Sequence, residues 1–207
     1  MKCGQFWLER TLLAMRTMSW ARRIHVGLQA GFSLVEMLIV VALVSILGSM
    51  AVFQIGSVRP SLKADGAMRV VMGELVAARE SAIAQRRLMQ ITFVGTSVIR
   101  ITRVEVPTGT TVLRNVVFEG NVHYGLVAGV PDTPDAFGNA EATDFGTAVS
   151  IMFGTDGALI DSTGTPVNGT VFMNIPETPQ SFRAVTVLGS TGRVRAFRWN
   201  GSRWQGV

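Results

Sequence analysis

The pattern of apolar and polar positions begins with a long apolar run. Between Phe32 and Ile55 the only charged residue is Glu36. As a helix, a run of this length would extend about 36 Å, whereas the hydrocarbon core of a bilayer is about 30 Å thick. The pattern therefore predicts a transmembrane helix over residues 32–55, with a buried core helix as the alternative.

The next region, residues 56–87, has the periodicity of an amphipathic helix. Apolar side chains recur there at intervals of three and four residues: Met68, Val71, Met72, Leu75, Ala78 and Ala82. We expect the helix to continue to about Arg87, with Pro60 either bending it or lying in its first turn. The apolar stripe is expected to pack on the chain's own β domain, and a free partner-binding helix is the alternative.

Beyond Leu88 the pattern changes to short runs typical of β-strands. The predicted strands are Met89 to Val94, Val98 to Val106, Val112 to Phe118, Val122 to Val127, Val149 to Phe153, Val171 to Ile175, Ala184 to Leu188 and Val194 to Trp199. Asp156-Gly157 and Asn200-Gly201 are typical of hairpin turns, and residues 129–146 are expected to form an exposed loop. The predicted fold class is α+β: a long N-terminal helix packed on an antiparallel, sandwich-like β-sheet domain over residues 88–207.

Charge and cysteine change the picture mainly at the N-terminus. The first 31 residues carry five basic side chains and one acidic one, so the rest of the chain is nearly neutral despite a net charge of +5. Basic residues before an apolar span favour a cytoplasmic N-terminus and a C-terminal domain on the other side of the membrane. The only cysteine, Cys3, lies in the same basic leader. The remainder therefore has neither an internal disulfide nor a cysteine metal site.

The start of the apolar run carries a recognisable motif. Gly31-Phe32-Ser33-Leu34-Val35-Glu36, followed at once by Met37-Leu38-Ile39-Val40-Val41, resembles the processing site and N-terminal helix of type IV pilins and type II secretion pseudopilins. The resemblance implies that residues 1–31 are a leader, that prepilin peptidase cuts after Gly31, and that Phe32 is then N-methylated. Met15 and Met18 are alternative starts, and either keeps the basic Arg22 and Arg23.

Glu36 is costly within an apolar span. A carboxylate at the centre of such a helix costs about 2.5–3.5 kcal/mol on insertion scales, which favours a partner for it. The resemblance implies one, namely the N-terminal amine of a neighbouring subunit, and hence a role for Glu36 in assembly. The alternative is a carboxylate near the interface that reaches water.

Two C-terminal segments look like the GspH/FimT group of minor subunits. They are Val149 to Phe153 before Thr155-Asp156-Gly157, and Ala184 to Leu188 before Thr191-Gly192-Arg193-Val194-Arg195. In the pilus branch of that group, a Gly-Arg-x-Arg motif is associated with DNA binding during natural transformation. The candidate DNA contacts are therefore Gly192, Arg193, Arg195 and Arg198.

The strand pattern and the charge distribution are compatible with such a contact. On a strand, Arg193 and Arg195 would share a face with the rings of Phe197 and Trp199, so that guanidinium groups pair with phosphate and rings stack on bases. From Thr178 to Val207 there are five arginines and no acid. The alternative is that these arginines solubilise a terminal hairpin and protect a sheet edge.

An enzyme is the competing class, and the sequence offers little for one. His123 lies in an apolar run, and Asp132, Asp135 and Asp144 do not have the spacing of an EF-hand calcium loop. We expect no catalytic residue, no cofactor and no metal.

The predicted function is that of a minor pilin in a type IV pilus, with a minor pseudopilin of a type II secretion system as the alternative. Such a subunit would lie in the inner membrane as a single-pass protein before it enters the filament. The expected partners are other pilin or pseudopilin subunits, prepilin peptidase, the membrane, and either DNA or exported proteins.

Overall fold

The computed structural model describes residues 31–207, apart from the side chains of residues 51–58. Its first element is helix α1, Leu34–Gln85, which includes Pro60. The backbone carbonyl of Ser33 accepts a hydrogen bond from the amide of Met37 at 3.1 Å, which closes the first turn. The helix ends where Arg86 adopts a positive φ of 50°, a left-handed residue of the kind that terminates helices.

The chain divides into two compact units, Met1–Leu47 and Gly48–Val207. In the described part of the first unit, the helical side chains from Leu34 to Leu47 are exposed. Within residues 31–207, no helix combines the length and the apolar character that a membrane span requires. The span over residues 32–55 stays a prediction.

The second unit contains two antiparallel β-sheets. The first sheet has the order β3-β2-β1-β6-β7; the second has the order β11-β10-β9-β8-β4, and β5 also pairs with β8. The strands are β1 Met89–Val94, β2 Val98–Val104, β3 Thr110–Val117, β4 His123–Tyr124, β5 Thr143–Asp144, β6 Ile151–Phe153, β7 Leu159–Asp161, β8 Gly169–Asn174, β9 Arg183–Leu188, β10 Arg193–Trp199 and β11 Trp204–Gly206. The α+β class with antiparallel sheets is confirmed.

The core of the second unit joins helix α1 to both sheets. One cluster of buried side chains includes Met68, Val71 and Leu75 from the helix, together with Ile99 of β2 and Val185 of β9. The expectation that the apolar stripe packs on the chain's own β domain is confirmed. The three- and four-residue spacing predicted this packing, because it places these side chains on one face of the helix.

The loop prediction for residues 129–146 is partly wrong. Thr133, Asp144 and Phe145 are buried, and residues 143–144 form β5. Asp144 accepts hydrogen bonds from the amides of Ala140 and Gly146, so its carboxylate replaces the partners that a regular strand would provide. The loop is thus shaped by short-range polar contacts that apolar periodicity does not show, and the pairing of β5 with β8 joins it to the second sheet.

Candidate functional site: the N-terminal motif and the C-terminal arginines

The predicted processing site lies just before helix α1. Gly31 and Phe32 are outside the helix, and the Phe32 side chain is 76% exposed. Residues 1–30, the rest of the predicted leader, lie outside the described residues. A peptidase needs an extended, accessible backbone at the bond that it cuts, and residues 31–33 have no regular secondary structure.

Glu36 lies in the first turn of helix α1, and its side chain is exposed. A carboxylate at this position interacts favourably with the partial positive charge at the helix N-terminus. The apolar side chains around it, including Leu34, Met37 and Leu38, are also exposed. A carboxylate in the midst of an exposed apolar surface is available for contact with another molecule.

The four candidate DNA contacts do not form one surface. β10 is paired without irregularity to β9, with Arg195 opposite Thr186 and Arg198 opposite Arg183. Because side chains alternate along a strand, Arg193 and Arg195 lie on one face of the sheet and Arg198 on the other. Arg193 and Arg195 are exposed.

Arg198 is part of an ion-pair cluster with helix α1. One carboxylate oxygen of Asp65 accepts a hydrogen bond from Nε of Arg183, and the other accepts one from Nη2 of Arg198, both at 2.5 Å. Arg198 thus lies on the opposite face of the sheet from Arg193 and Arg195, and its role as a DNA contact stays a prediction. Its partner is 133 positions away in the chain, so sequence spacing does not show the pairing.

Asp65 and Arg183 are the residues of this cluster that sequence reasoning missed, and Arg183 is the more deeply buried of the two. Its side chain is fully buried and donates hydrogen bonds to the carbonyls of Gln180 and Phe182 and to the hydroxyl of Ser61, besides Asp65. A buried charge is tolerated when it is paired and its donors are satisfied. The only sequence signal is an arginine at the start of a largely apolar strand.

The aromatic rings expected on the arginine face are not free. Phe197 is 2% exposed and Trp199 is 9% exposed. The guanidinium of Arg195 lies over the Phe197 ring, 5.0 Å from its centroid, and Trp199 packs edge-on against Trp204 of β11. The predicted stacking of bases on these rings is wrong for this conformation, because the protein covers both of them.

Gly192 has a packing role. Its φ is +63°, and an added Cβ would lie 2.1 Å from the carbonyl oxygen of Gly157 and 2.8 Å from Arg79 of helix α1. Nε of Arg79 donates a hydrogen bond to that same carbonyl at 3.1 Å. The glycine of the Gly-Arg-x-Arg motif is therefore explained by the close approach of two turns and the helix.

The remaining candidate groups are bound within the protein. The ring nitrogens of His123 contact Thr96 and Asn121. Asp132 accepts from the amides of Thr133 and Gly138, and no group of acidic, histidine or cysteine side chains in residues 31–207 has the arrangement of a metal site.

Comparison with known families identifies the N-terminal motif. Residues 27–52 match the model described as the prokaryotic N-terminal methylation motif. The chain carries a type IV pilin-like signal. No curated protein and no solved structure matches the chain.

The pilin-like segment includes Gly31, Phe32 and Glu36, and it indicates a membrane-anchored component of a pilus or pseudopilus that assembles with other pilin subunits. The match ends at residue 52, so it does not extend to the β-sheets or to Arg193, Arg195 and Arg198.

Proposed function

We propose that this chain is a minor pilin, a non-enzymatic subunit of a type IV pilus. Prepilin peptidase cuts it after Gly31 and methylates Phe32. The subunit is then held in the inner membrane by a single span over residues 32–55, with its β-sheets outside the cytoplasm, until it enters the filament. The observation that carries this proposal is the match of residues 27–52 to the methylation motif.

The surroundings of the motif support these roles. Phe32 is exposed and precedes the helix, where a new amine would be accessible. Glu36 is one helical turn further on, on a segment whose apolar side chains are exposed. An amine from a neighbouring subunit would neutralise this carboxylate where little water competes.

Replacement of Glu36 tests the assembly role. We expect Glu36→Gln to leave cleavage intact and to reduce the amount of the subunit in sheared filaments, because the uncharged amide no longer attracts an amine. Glu80→Gln is the matched control, since Glu80 is an exposed carboxylate later in the same helix. Filaments that contain wild-type amounts of the Glu36→Gln subunit would contradict the assembly role.

A minor pseudopilin of a type II secretion system is the second candidate, because the methylation motif is compatible with both machines. Deletion and complementation separate them: loss of pili indicates the first, and loss of secreted exoproteins with intact pili indicates the second.

We further propose that Arg193 and Arg195 contact the DNA backbone. Two exposed arginines on one face of a strand, in a C-terminal segment without acids, support phosphate contact. We expect the variant with Arg193→Gln and Arg195→Gln to bind duplex DNA more weakly and with a smaller salt slope. Arg203→Gln is the control, since Arg203 is also exposed, and equal affinity of the double variant and the control at low salt would remove the site.

A further inference from the structure

A short segment lies over the outer face of the second sheet, and we call residues 131–138 the strap. The indole nitrogen of Trp204 donates a hydrogen bond to the carbonyl of Pro131 at 2.8 Å. Asp135 accepts hydrogen bonds from the hydroxyl of Thr186, at 2.6 Å, and from Nη1 of Arg195. Two neighbouring strands, β9 and β10, thus hold one carboxylate of the strap.

The outer face of this sheet contains aromatic side chains beside Arg195. Phe172, Ala184 and Phe197 are direct neighbours across β8, β9 and β10, and Trp204 packs on them. This buried cluster is separate from the core that joins helix α1 to the sheets. The face that the sequence predicts, a guanidinium beside aromatic rings, therefore exists in the folded chain, with its arginines exposed and its rings buried.

The contact that holds Arg195 is open to solvent on the side of the arginine. The side chain of Arg195 is 44% exposed and that of Asp135 is 12% exposed, so water, salt and other anions reach the pair from the arginine side. Exposed ion pairs contribute little to stability. A phosphate would compete for the same guanidinium, because an arginine that donates to a carboxylate has fewer donors free for a second anion.

We infer that Asp135 is an internal competitor for anions: it occupies Arg195 and holds the strap against β9 and β10. The effect on DNA rests on the proposed DNA contact, whereas the closure of the strap does not. Release of Asp135 frees the Arg195 guanidinium and increases its affinity for phosphate.

The first measurement needs no ligand. The full chain, in detergent micelles, is treated with phenylglyoxal, and modification of each arginine is followed by mass spectrometry. In Asp135→Asn and Asp135→Ala we expect Arg195 to react about two- to five-fold faster than in the wild type, the factor that corresponds to an exposed ion pair. Arg193, which is exposed, is the internal reference, and its rate should not change.

Asp161→Asn is the matched control. Asp161 binds the Thr163 and Thr165 amides in an exposed turn, and its bonds in the structure involve no arginine. Circular dichroism verifies that each variant is folded. Unchanged Arg195 reactivity in both folded Asp135 variants would overturn the inference.

The second measurement titrates the same proteins with a fluorescent DNA duplex. Tighter binding by Asp135→Asn, lost again on adding Arg195→Gln, supports competition for phosphate. Faster Arg195 modification without DNA binding by any variant would remove the proposed DNA contact and leave the closure of the strap intact. The competition would be overturned if the wild type binds DNA and Asp135→Asn frees Arg195 but does not increase the affinity for DNA.

Discussion

The apolar side chains of helix α1 are exposed in its first part and buried in its second part. Leu38, in the first unit, is 61% exposed, whereas Leu75, in the second unit, is fully buried between the helix and the sheets. The difference follows from the sequence pattern. Around Leu38 nearly every residue is apolar, and no single face is selected, while around Leu75 the apolar residues recur every three or four positions. The apolar side chains around Leu38 are therefore left for contacts outside the chain, whereas those around Leu75 are buried against the chain's own sheets.

The largest expected effect concerns the ion-pair cluster at the start of the buried part of the helix. Asp65→Ala leaves the fully buried Arg183 without its carboxylate, so we expect it to lower the free energy of unfolding by about 3–5 kcal/mol. Urea denaturation followed by tryptophan fluorescence measures this loss. Glu80→Ala, on an exposed face of the same helix, should change stability by less than about 0.5 kcal/mol. Equal effects would show that the cluster does not hold the helix.

The two regions should respond differently to the same truncation. Leu75→Ala creates a cavity in the shared core and should cost about 2–5 kcal/mol of unfolding free energy. Leu38→Ala removes an exposed side chain and should leave the denaturation midpoint of the second unit unchanged. A large loss from Leu38→Ala would contradict the assignment of its apolar surface to contacts outside the chain.

A smaller effect is expected where a turn meets the buried part of the helix. Gly192→Ala combines a left-handed backbone with a clash against Gly157 and Arg79, and should cost about 1–3 kcal/mol. Gly95→Ala isolates the backbone contribution, because Gly95 has nearly the same φ, +59°, and an added Cβ meets nothing within 4 Å. If thermal denaturation gives the two variants the same stability, the close packing at Gly192 contributes nothing.

The smallest effect is expected for an ion pair whose arginine is exposed although its carboxylate is largely buried. Glu74 of helix α1 lies 2.8 Å from Nε of Arg114 on β3, and the Arg114 side chain is 43% exposed. We expect Glu74→Gln to change the unfolding free energy by less than about 1 kcal/mol, and to change it less in high salt. A loss comparable to that of Asp65→Ala would show that burial of the arginine does not determine how much an ion pair contributes to stability.

Strands and turns with a clear local sequence pattern were predicted correctly. Strand β1 was expected over Met89 to Val94 and has those bounds, and the Asp156-Gly157 and Asn200-Gly201 turns lie at the ends of β6 and β10. The strands that return from these turns, β7 and β11, were missed, since each has only three residues and shows no alternation.

The candidate site was less accessible to prediction than the fold. Arg193 and Arg195 share an exposed face because alternation is a local property. The pairing of Arg198 with Asp65, and that of Arg195 with Asp135 of the strap, depend on contacts between distant parts of the chain. The motif at Gly31, Phe32 and Glu36 was visible because it is read as a linear sequence, and its roles in cleavage, methylation and assembly stay predictions.

Mass spectrometry of the protein from cells with active prepilin peptidase tests the central claim most directly. We predict that the mature chain begins at Phe32, carries one additional methyl group on that residue, and keeps the basic leader in cells that lack the peptidase. A mature chain that begins at any other residue, or whose N-terminus does not depend on the peptidase, would contradict the assignment as a pilin-like subunit.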